Sequence, residues 1–209
     1  NYNDQYIEYK NTLANNLNTS IKQNVFNMKV RNFNSSLEST LFNGNVPVEM
    51  FHNLLDIFKK NLPLWHKYWR VRRKALGVKT LNPYDVWAPL TTKKHKVPFE
   101  KAVDWICEGL APMGEEYVSV MRKGCLQDRW VDWSPNAGKR QGAFSTRVPK
   151  DTHPFILMSY TDDIGSMSTL SHELGHSMHA YYASRAQPMF YYLYPSIIAE
   201  TASNFNQAM

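Results

Sequence analysis

Cysteine is scarce in this chain of 209 residues, which contains only Cys107 and Cys125 and no C-x-x-C pair. Two isolated thiols exclude a disulfide scaffold and suit a reducing compartment, so we expect a cytoplasmic protein in which both are buried apolar residues. No run approaches the roughly 18 consecutive apolar residues of a membrane span. The first residues form neither a basic nor an apolar signal-peptide region, so we expect no membrane partner.

Positive charge is concentrated in one stretch of the chain. Residues 59–101 hold 12 of the 24 basic residues, interleaved with Trp65, Tyr68 and Trp69, and this pattern raises nucleic-acid binding as a hypothesis. At helical spacing, however, the aromatic residues fall on one face and the charged residues on the other. We therefore interpret the stretch as a helix whose apolar face packs in the core and whose charged face is exposed to solvent. We expect no nucleic-acid partner.

The composition predicts a folded, largely helical protein. A hydrophobic fraction of 43% and an aromatic fraction of 13% are enough for a core. Apolar residues recur every three or four positions in the first half, which indicates helices. Pro63 is expected to end or kink one of them, and Gly77 to cap the next. Helices are expected over residues 6–25, 48–58, 64–73, 99–110 and 115–124.

The pattern changes near Trp130 to short runs rich in aromatic and branched residues. Three strands are predicted, separated by turn residues at 135–138 and 149–151. A helix should begin after the N-cap pair Asp162-Asp163, and a last one should cover 195–209. The predicted fold is mainly α with a small antiparallel β-sheet. The strands are expected over residues 130–133, 142–148 and 155–160.

The motif His172-Glu173-Leu174-Gly175-His176 is an H-E-x-x-H pattern within a predicted helix. Histidines four residues apart share one face and lie about 6 Å apart along the helix axis, so both imidazoles can bind one metal ion. Glu173 is adjacent and can take a proton from water as a general base. The pattern also occurs in helices whose histidines are ordinary surface residues, so a third ligand has to be identified.

Hydrolytic zinc sites usually have three protein ligands. His179 shares the face of the motif but lies about 10.5 Å from His172 along the axis, too far to bind the same tetrahedral ion. Glu200, 24 residues past His176, is the better candidate, because a carboxylate beside two imidazoles is a known zinc ligand set. The small residues Ala199, Ala202 and Ser203 would let its helix approach the first closely.

Longer motifs around these residues resemble oligoendopeptidase F, one of the thimet-oligopeptidase-like zinc peptidases. The resemblance covers nearly the whole chain, and its motifs occur in the same order. It implies a helical zincin-type metallopeptidase that hydrolyses internal bonds of short peptides with one zinc ion per chain. The segments that carry it are residues 82–90, 110–117, 138–145, 168–179 and 198–203.

The resemblance also implies roles for single residues. His172, His176 and Glu200 would be the zinc ligands, and Glu173 the catalytic base. Substrate would lie along the strand that contains Gly142, Ala143 and Phe144, bound through backbone groups as an added strand.

Three further residues are expected to contact the ligand side chains without binding the metal: His179, Ser203 and Gln207. The family often has a glutamate near Gln207. An amide at this position would still bond a ligating histidine, but it would make that ligand less basic than a carboxylate would.

The resemblance further implies an internal fragment, incomplete at both ends, because family members are longer and place carbonyl-polarising groups after the third ligand. We expect residues 1–127 to form a helical scaffold and 128–209 the sheet and the zinc-binding helices. A related zinc carboxypeptidase or dipeptidyl peptidase remains an alternative, as does a basic helical module that binds nucleic acid. The sequence leaves the oligomeric state open.

Overall fold

The computed structural model describes residues 2–93, 95–146 and 152–209. The chain divides into two compact units, Asn1–Leu90 and Thr91–Met209. The predicted division after residue 127 lies within the second unit and stays a prediction. The described residues are mainly helical with a small sheet, as predicted. Their α-helices are α1 (Tyr2–Glu8), α2 (Lys10–Val30), α3 (Ser36–Phe42), α4 (Val48–Ala75), α5 (Phe99–Gly109), α6 (Glu115–Leu126), α7 (Ile164–Ala186) and α8 (Ser196–Ala208).

In the first unit, α3 packs against α2 and α4. Pro63 was expected to end or kink its helix; an end at this residue is wrong, since α4 continues through it, and the kink stays a prediction. Proline removes one backbone donor, and the helical turns on both sides keep their own bonds. Gly77 follows the end of α4 at φ +69°, and its N–H donates to the Lys74 carbonyl at 3.1 Å. The predicted glycine cap is therefore confirmed.

The apolar face of α4 is exposed within its own unit. Trp65 and Tyr68 are nearly half exposed, and Arg72 is the one residue of this helix that is buried. The predicted core stripe is therefore wrong for this unit. Helical periodicity identifies an apolar face, but it does not identify what covers that face.

The sheet of the second unit has the order β1-β3-β2, with β1 at Val131–Asp132, β2 at Phe144–Thr146 and β3 at Phe155–Leu157. Strand β3 pairs in parallel with β1 and antiparallel with β2. The sheet is therefore mixed, and the predicted antiparallel sheet is wrong. Strand β2 precedes β3 in the chain but lies at the edge of the sheet, so β3 is the central strand. The predicted strand end at Val148 and the predicted turn at 149–151 lie outside the described residues.

The core of the second unit lies between α5, α6, the sheet and α7. Leu170, Leu174 and Met178 of α7 are fully buried in it, at the four-residue spacing of one helix face. Cys107 and Cys125 are buried and unpaired, as predicted. Burial raises the pKa of Cys125 to about 12. Within the described residues, no helix is both long enough and apolar enough to cross a membrane.

The start of α7 is fixed by Asp163, the predicted N-cap. Its Oδ1 accepts the Ser166 N–H at 2.7 Å. This backbone bond, followed by the Thr161 hydroxyl, lowers the pKa of Asp163 below its usual value of 3.8. The cap therefore sets the first turn of the helix that carries the H-E-x-x-H motif.

We predict that Asp163→Ala lowers the free energy of unfolding by about 1 kcal/mol, the usual cost of a lost N-cap. A carboxylate with a lowered folded pKa stabilises the fold above its unfolded pKa and loses that effect as the pH falls through the folded pKa. The difference between Asp163→Ala and wild type should therefore shrink below about pH 3.8. Asp163→Asn, which keeps a neutral capping acceptor, is the control in denaturant unfolding. Equal stability of the Ala and Asn variants at neutral pH would contradict this role for Asp163.

Candidate metal centre

His172 and His176 lie one turn apart on α7 and converge. Their ring centroids are 4.9 Å apart and the rings are nearly perpendicular, at 86°. Both side chains are mostly shielded from solvent, with 25% and 18% of their surface exposed. Helix α7 thus presents two imidazoles on the side that faces α8.

Glu200 on α8 supplies the third group. Its Oε2 lies 3.4 Å from His172 Nε2 and 3.5 Å from His176 Nε2. Donor atoms that bind a tetrahedral zinc at roughly 2.0–2.1 Å stand about 3.4 Å from one another. The ligand atoms of the three residues lie within 4.8 Å of each other. The donor set and its spacing therefore fit a zinc ion.

The spacing of the two helices depends on Gly175, between the two histidines. A Cβ on Gly175 would lie 2.7 Å from Ser203 Cα and 2.8 Å from the Ala202 carbonyl oxygen. These are backbone atoms, so α8 could not accommodate the extra carbon without moving. Ser203 and Ala199 are buried at the same contact. The predicted close approach of a small-residue face on α8 is confirmed, and glycine on α7 is its counterpart.

A buried network, which the sequence did not reveal, ties α8 to α6 and α7. The Ser171 hydroxyl donates to the Asn206 carbonyl at 3.0 Å, and the Asn206 side-chain amide donates to the Ser171 carbonyl at 2.8 Å. The Tyr117 hydroxyl donates to Asn206 Oδ1 at 2.8 Å. Burial, with a smaller effect of Tyr182, raises the pKa of Tyr117 to about 12. The network therefore stays neutral and fixes the helix of Glu200 without a buried charge.

Gln207 contacts the first histidine. Its Nε2 donates to the Ser168 hydroxyl at 2.8 Å, which turns Oε1 towards the ring, 3.1 Å from His172 Nδ1. An amide oxygen can only accept, so Nδ1 carries a proton, and in the neutral imidazole the lone pair is on Nε2. This is the nitrogen that faces Glu200.

Ser203 holds the carboxylate itself. Its side chain is fully buried, and its hydroxyl lies within bonding distance of Glu200 Oε2 (2.9 Å) and the Glu200 carbonyl (3.1 Å). A short, buried hydroxyl one turn away thus limits the rotamers open to a side chain that is otherwise 53% exposed. Ser203 was expected from the sequence to support a ligand; the structure places its hydroxyl beside the Glu200 carboxylate, and the supporting role stays a prediction.

Glu173 is buried beside the first histidine, with 7% of the residue exposed. Burial raises the pKa of its carboxyl, the Glu200 charge adds to the rise, and the His172 charge and the Ser145 backbone N–H oppose it. The buried Oε2 has no hydrogen-bond partner within the described ranges. A buried acceptor without a partner is costly unless a donor reaches it. Glu173 thus combines a raised carboxyl pKa with a buried oxygen that no donor of the described residues reaches.

A cavity of about 380 Å³ joins these groups to the edge of the sheet. Ala143 and Phe144 line it, whereas Gly142 lines a neighbouring cavity. The expectation that all three belong to one strand is wrong, because β2 begins only at Phe144. Gly142 has φ +89°, a left-handed conformation that turns the chain instead of extending it.

Two features of the cavity wall have no signal in the sequence. The Ser145 and Ser177 hydroxyls lie 2.8 Å apart and join β2 to α7. Tyr194 lines the cavity and stacks on His179, with ring centroids 3.8 Å apart. His179 therefore contacts the wall of the site, and it is not among the grouped ligands of the described residues. Both contacts join residues distant in sequence, so only the fold reveals them.

Comparison with known proteins decides the family. The model of peptidase family M3 matches residues 1–209. The chain belongs to this family. Oligopeptidase PepF from Bacillus subtilis is 40% identical over 98% of the chain. The resemblance to oligoendopeptidase F is thereby confirmed.

Solved structures agree with this assignment. A structure from Chlamydophila abortus has 39% identity to this chain and a TM-score of 0.79, over 98% of this chain. Oligoendopeptidase-F from Enterococcus faecium has 28% identity and a TM-score of 0.57 over 97%. The chain spans 30% of the length of the Bacillus relative, and 34% and 28% of the two structures.

We predict that Gly175→Ala weakens zinc binding tenfold or more without altering a ligand. Overpacking a tight contact costs about 1–3 kcal/mol, and 1.4 kcal/mol is a factor of ten. The measurement is a competition titration with a chromophoric chelator, alongside circular dichroism to verify folding. Gly109→Ala is the matched control, because its Cβ would meet nothing closer than 3.6 Å. Zinc affinity equal to that of the control would show that the helix contact does not set the ligand spacing.

Gln207 yields a second prediction. Gln207→Ala should weaken zinc binding about tenfold, since partners of ligating histidines typically contribute 10–100-fold to affinity. Gln207→Glu should strengthen binding, because a carboxylate accepts the Nδ1 proton more strongly than an amide does. The same competition titration ranks the three proteins. If zinc affinity does not decrease in the order Glu, Gln, Ala at position 207, then this side chain does not influence zinc binding through His172.

Proposed function

We propose that this chain carries the zinc-dependent catalytic site of an endopeptidase that hydrolyses internal bonds of short peptides. The observation that carries the proposal is the convergence of two imidazole nitrogens and one carboxylate oxygen at 3.4 and 3.5 Å, beside a buried carboxylate. The relatives support the substrate class, because they include an oligopeptidase and an oligoendopeptidase. Zinc, one ion per chain, is the proposed cofactor, and short peptides are the proposed partners.

His172, His176 and Glu200 would hold the ion. When bound, zinc supplies Lewis-acid polarisation of water and of a peptide carbonyl. Gln207 and Ser203 keep two of these ligands in the required tautomer and rotamer. Three protein ligands leave a coordination position for water or substrate, as in other hydrolytic zinc sites.

Glu173 is the proposed general base. Its unpartnered Oε2 would take the proton of the attacking water, and the same oxygen would return it to the leaving amine. Burial favours this exchange, because it raises the pKa of the carboxyl from an ordinary glutamate value towards that of a useful base. The Ser145 N–H on the other side of the carboxylate would hold its orientation through both transfers.

Substrate would bind along β2, which lies at the edge of the described sheet. An edge strand offers backbone N–H and C=O groups to an extended peptide, which can add as a further strand. Ala143 and Phe144 border the cavity at this edge, and Gly142 remains part of the proposed binding segment as the turn that starts it. The Ser145–Ser177 bond anchors the strand to the metal helix, so bound peptide and base would share one rigid support.

We predict that Glu173→Gln keeps zinc but lowers hydrolysis by about 10²–10⁴-fold, the usual contribution of a general base. His176→Ala should lose the zinc itself. Zinc content by atomic absorption and cleavage of a quenched fluorescent peptide, measured on the protein that carries this chain, separate the two defects. Glu108→Gln, a change of the same chemistry at an exposed site on α5, is the control. Near-normal turnover of Glu173→Gln would remove this residue from the mechanism.

The exopeptidase alternatives are tested with a peptide blocked at both ends. An endopeptidase cleaves such a peptide internally, whereas a carboxypeptidase or dipeptidyl peptidase requires a free terminus. Fragments mapped by mass spectrometry distinguish these cases. Absence of zinc together with salt-dependent binding of DNA or RNA would instead favour the nucleic-acid hypothesis.

A further inference from the structure

The loop between β1 and β2 is held by a buried lysine. The Lys139 side chain is only 4% exposed, and its Nζ lies 2.9 Å from Asp132 Oδ1. It also donates to the Asp132 carbonyl at 2.9 Å and to the Ser134 carbonyl at 2.8 Å. All three donors of the ammonium are thus used within the loop. The loop is thereby fixed at its far end, immediately before Arg140.

Arg140 differs from Lys139 in that its charge is not paired with a carboxylate of the loop. It is exposed, and it has no carboxylate partner in the described part of the chain. Its guanidinium carbon lies 5.9 Å from the centroid of the Phe144 ring, a cation–π contact. The left-handed turn at Gly142 lies between the two residues and brings them together. Phe144 lines the metal cavity, so Arg140 is in contact with one residue of the cavity wall.

Glu173 and Glu200 line the cavity together, and neither can pair with a carboxylate of a peptide. An arginine on the fixed loop beside the cavity would supply such a pairing. Its planar donors would pair with a carboxylate through two parallel hydrogen bonds. The contact with Phe144 is a cation–π contact, which uses none of the guanidinium hydrogen-bond donors.

We propose that Arg140 is a specificity-determining residue that binds a carboxylate of the peptide substrate. The inference rests on the proposed function and deepens it, because it names a substrate class for the same cavity. The carboxylate comes either from an acidic side chain or from the C-terminus of a short peptide. Arg140 acts in binding and leaves the proton transfers to Glu173.

The test measures peptide binding by fluorescence anisotropy in the Glu173→Gln background, where cleavage does not interfere. Three labelled peptides share one sequence: one has an acidic residue and a C-terminal amide, one a neutral residue and a free C-terminus, and one neither carboxylate. Arg140→Ala should lower the affinity ratio of a carboxylate peptide to the neutral one about fivefold, the upper range for an exposed ion pair. Arg140→Lys should lower it less, because the charge remains and the paired donors are lost.

Arg185→Ala is the matched control. Arg185 stacks on Tyr181, 3.4 Å from its ring centroid, and neither residue lines the metal cavity. The control removes the same charge and the same kind of contact elsewhere, and should leave the ratio unchanged. A loss confined to the acidic peptide assigns the side chain as the source of the carboxylate, and a loss confined to the free C-terminus assigns the terminus.

The proposal is overturned if both ratios stay constant in Arg140→Ala, or if Arg185→Ala lowers them equally, which would reveal an effect of net charge alone. Zinc content and cleavage of the doubly blocked neutral peptide by the parent protein are measured in parallel. If the parent protein binds no zinc or does not cleave this peptide, the proposed function is wrong. If it does both and the affinity ratio stays constant in Arg140→Ala, only the role of Arg140 is wrong.

Discussion

The backbone contact between α7 and α8 at Gly175 is the constraint on which the rest of the site depends. Two of the proposed ligands come from one helix and the third from the other, so the distance between the helices sets the distance between donors. Because Ser203 Cα would lie only 2.7 Å from a Cβ on Gly175, the helices are as close as their backbones allow. At this helix spacing the Glu200 carboxylate, held by the Ser203 hydroxyl, lies 3.4 and 3.5 Å from the two histidine nitrogens.

Neutral polar groups maintain that contact where apolar packing alone would allow α8 to slide. The Asn206 amide bonds the backbone of α7 and the hydroxyl of Tyr117, which fixes α8 both along and around its axis. Satisfied buried networks of this kind favour a single arrangement, because any shift leaves donors and acceptors unpaired. Glu173 benefits from the same shielding, since its burial both raises its pKa and isolates the acceptor that would receive the proton.

The sequence was most informative where structure depends on neighbours along the chain. The spacing of His172 and His176, the Asp163 cap and the Gly77 cap all lie within one or two helical turns. Glu200 could be proposed as the third ligand because the small residues beside it predict a close contact between its helix and the helix of the motif. The parallel pairing of β1 with β3 could not be, since strands of two and three residues carry no orientation signal. The exposed stripe of α4 and the Asn206 network depend on contacts far apart in sequence, which periodicity does not encode.

We propose that α7 and α8 together form a zinc site with two imidazoles and one carboxylate. X-ray absorption spectroscopy at the zinc edge of the metal-loaded protein tests it most directly. We predict two histidine nitrogens and at least one carboxylate oxygen at roughly 2.0–2.1 Å from the zinc, and no protein-bound zinc in His176→Ala. A spectrum that requires three imidazoles, with His179 in place of Glu200, would contradict it.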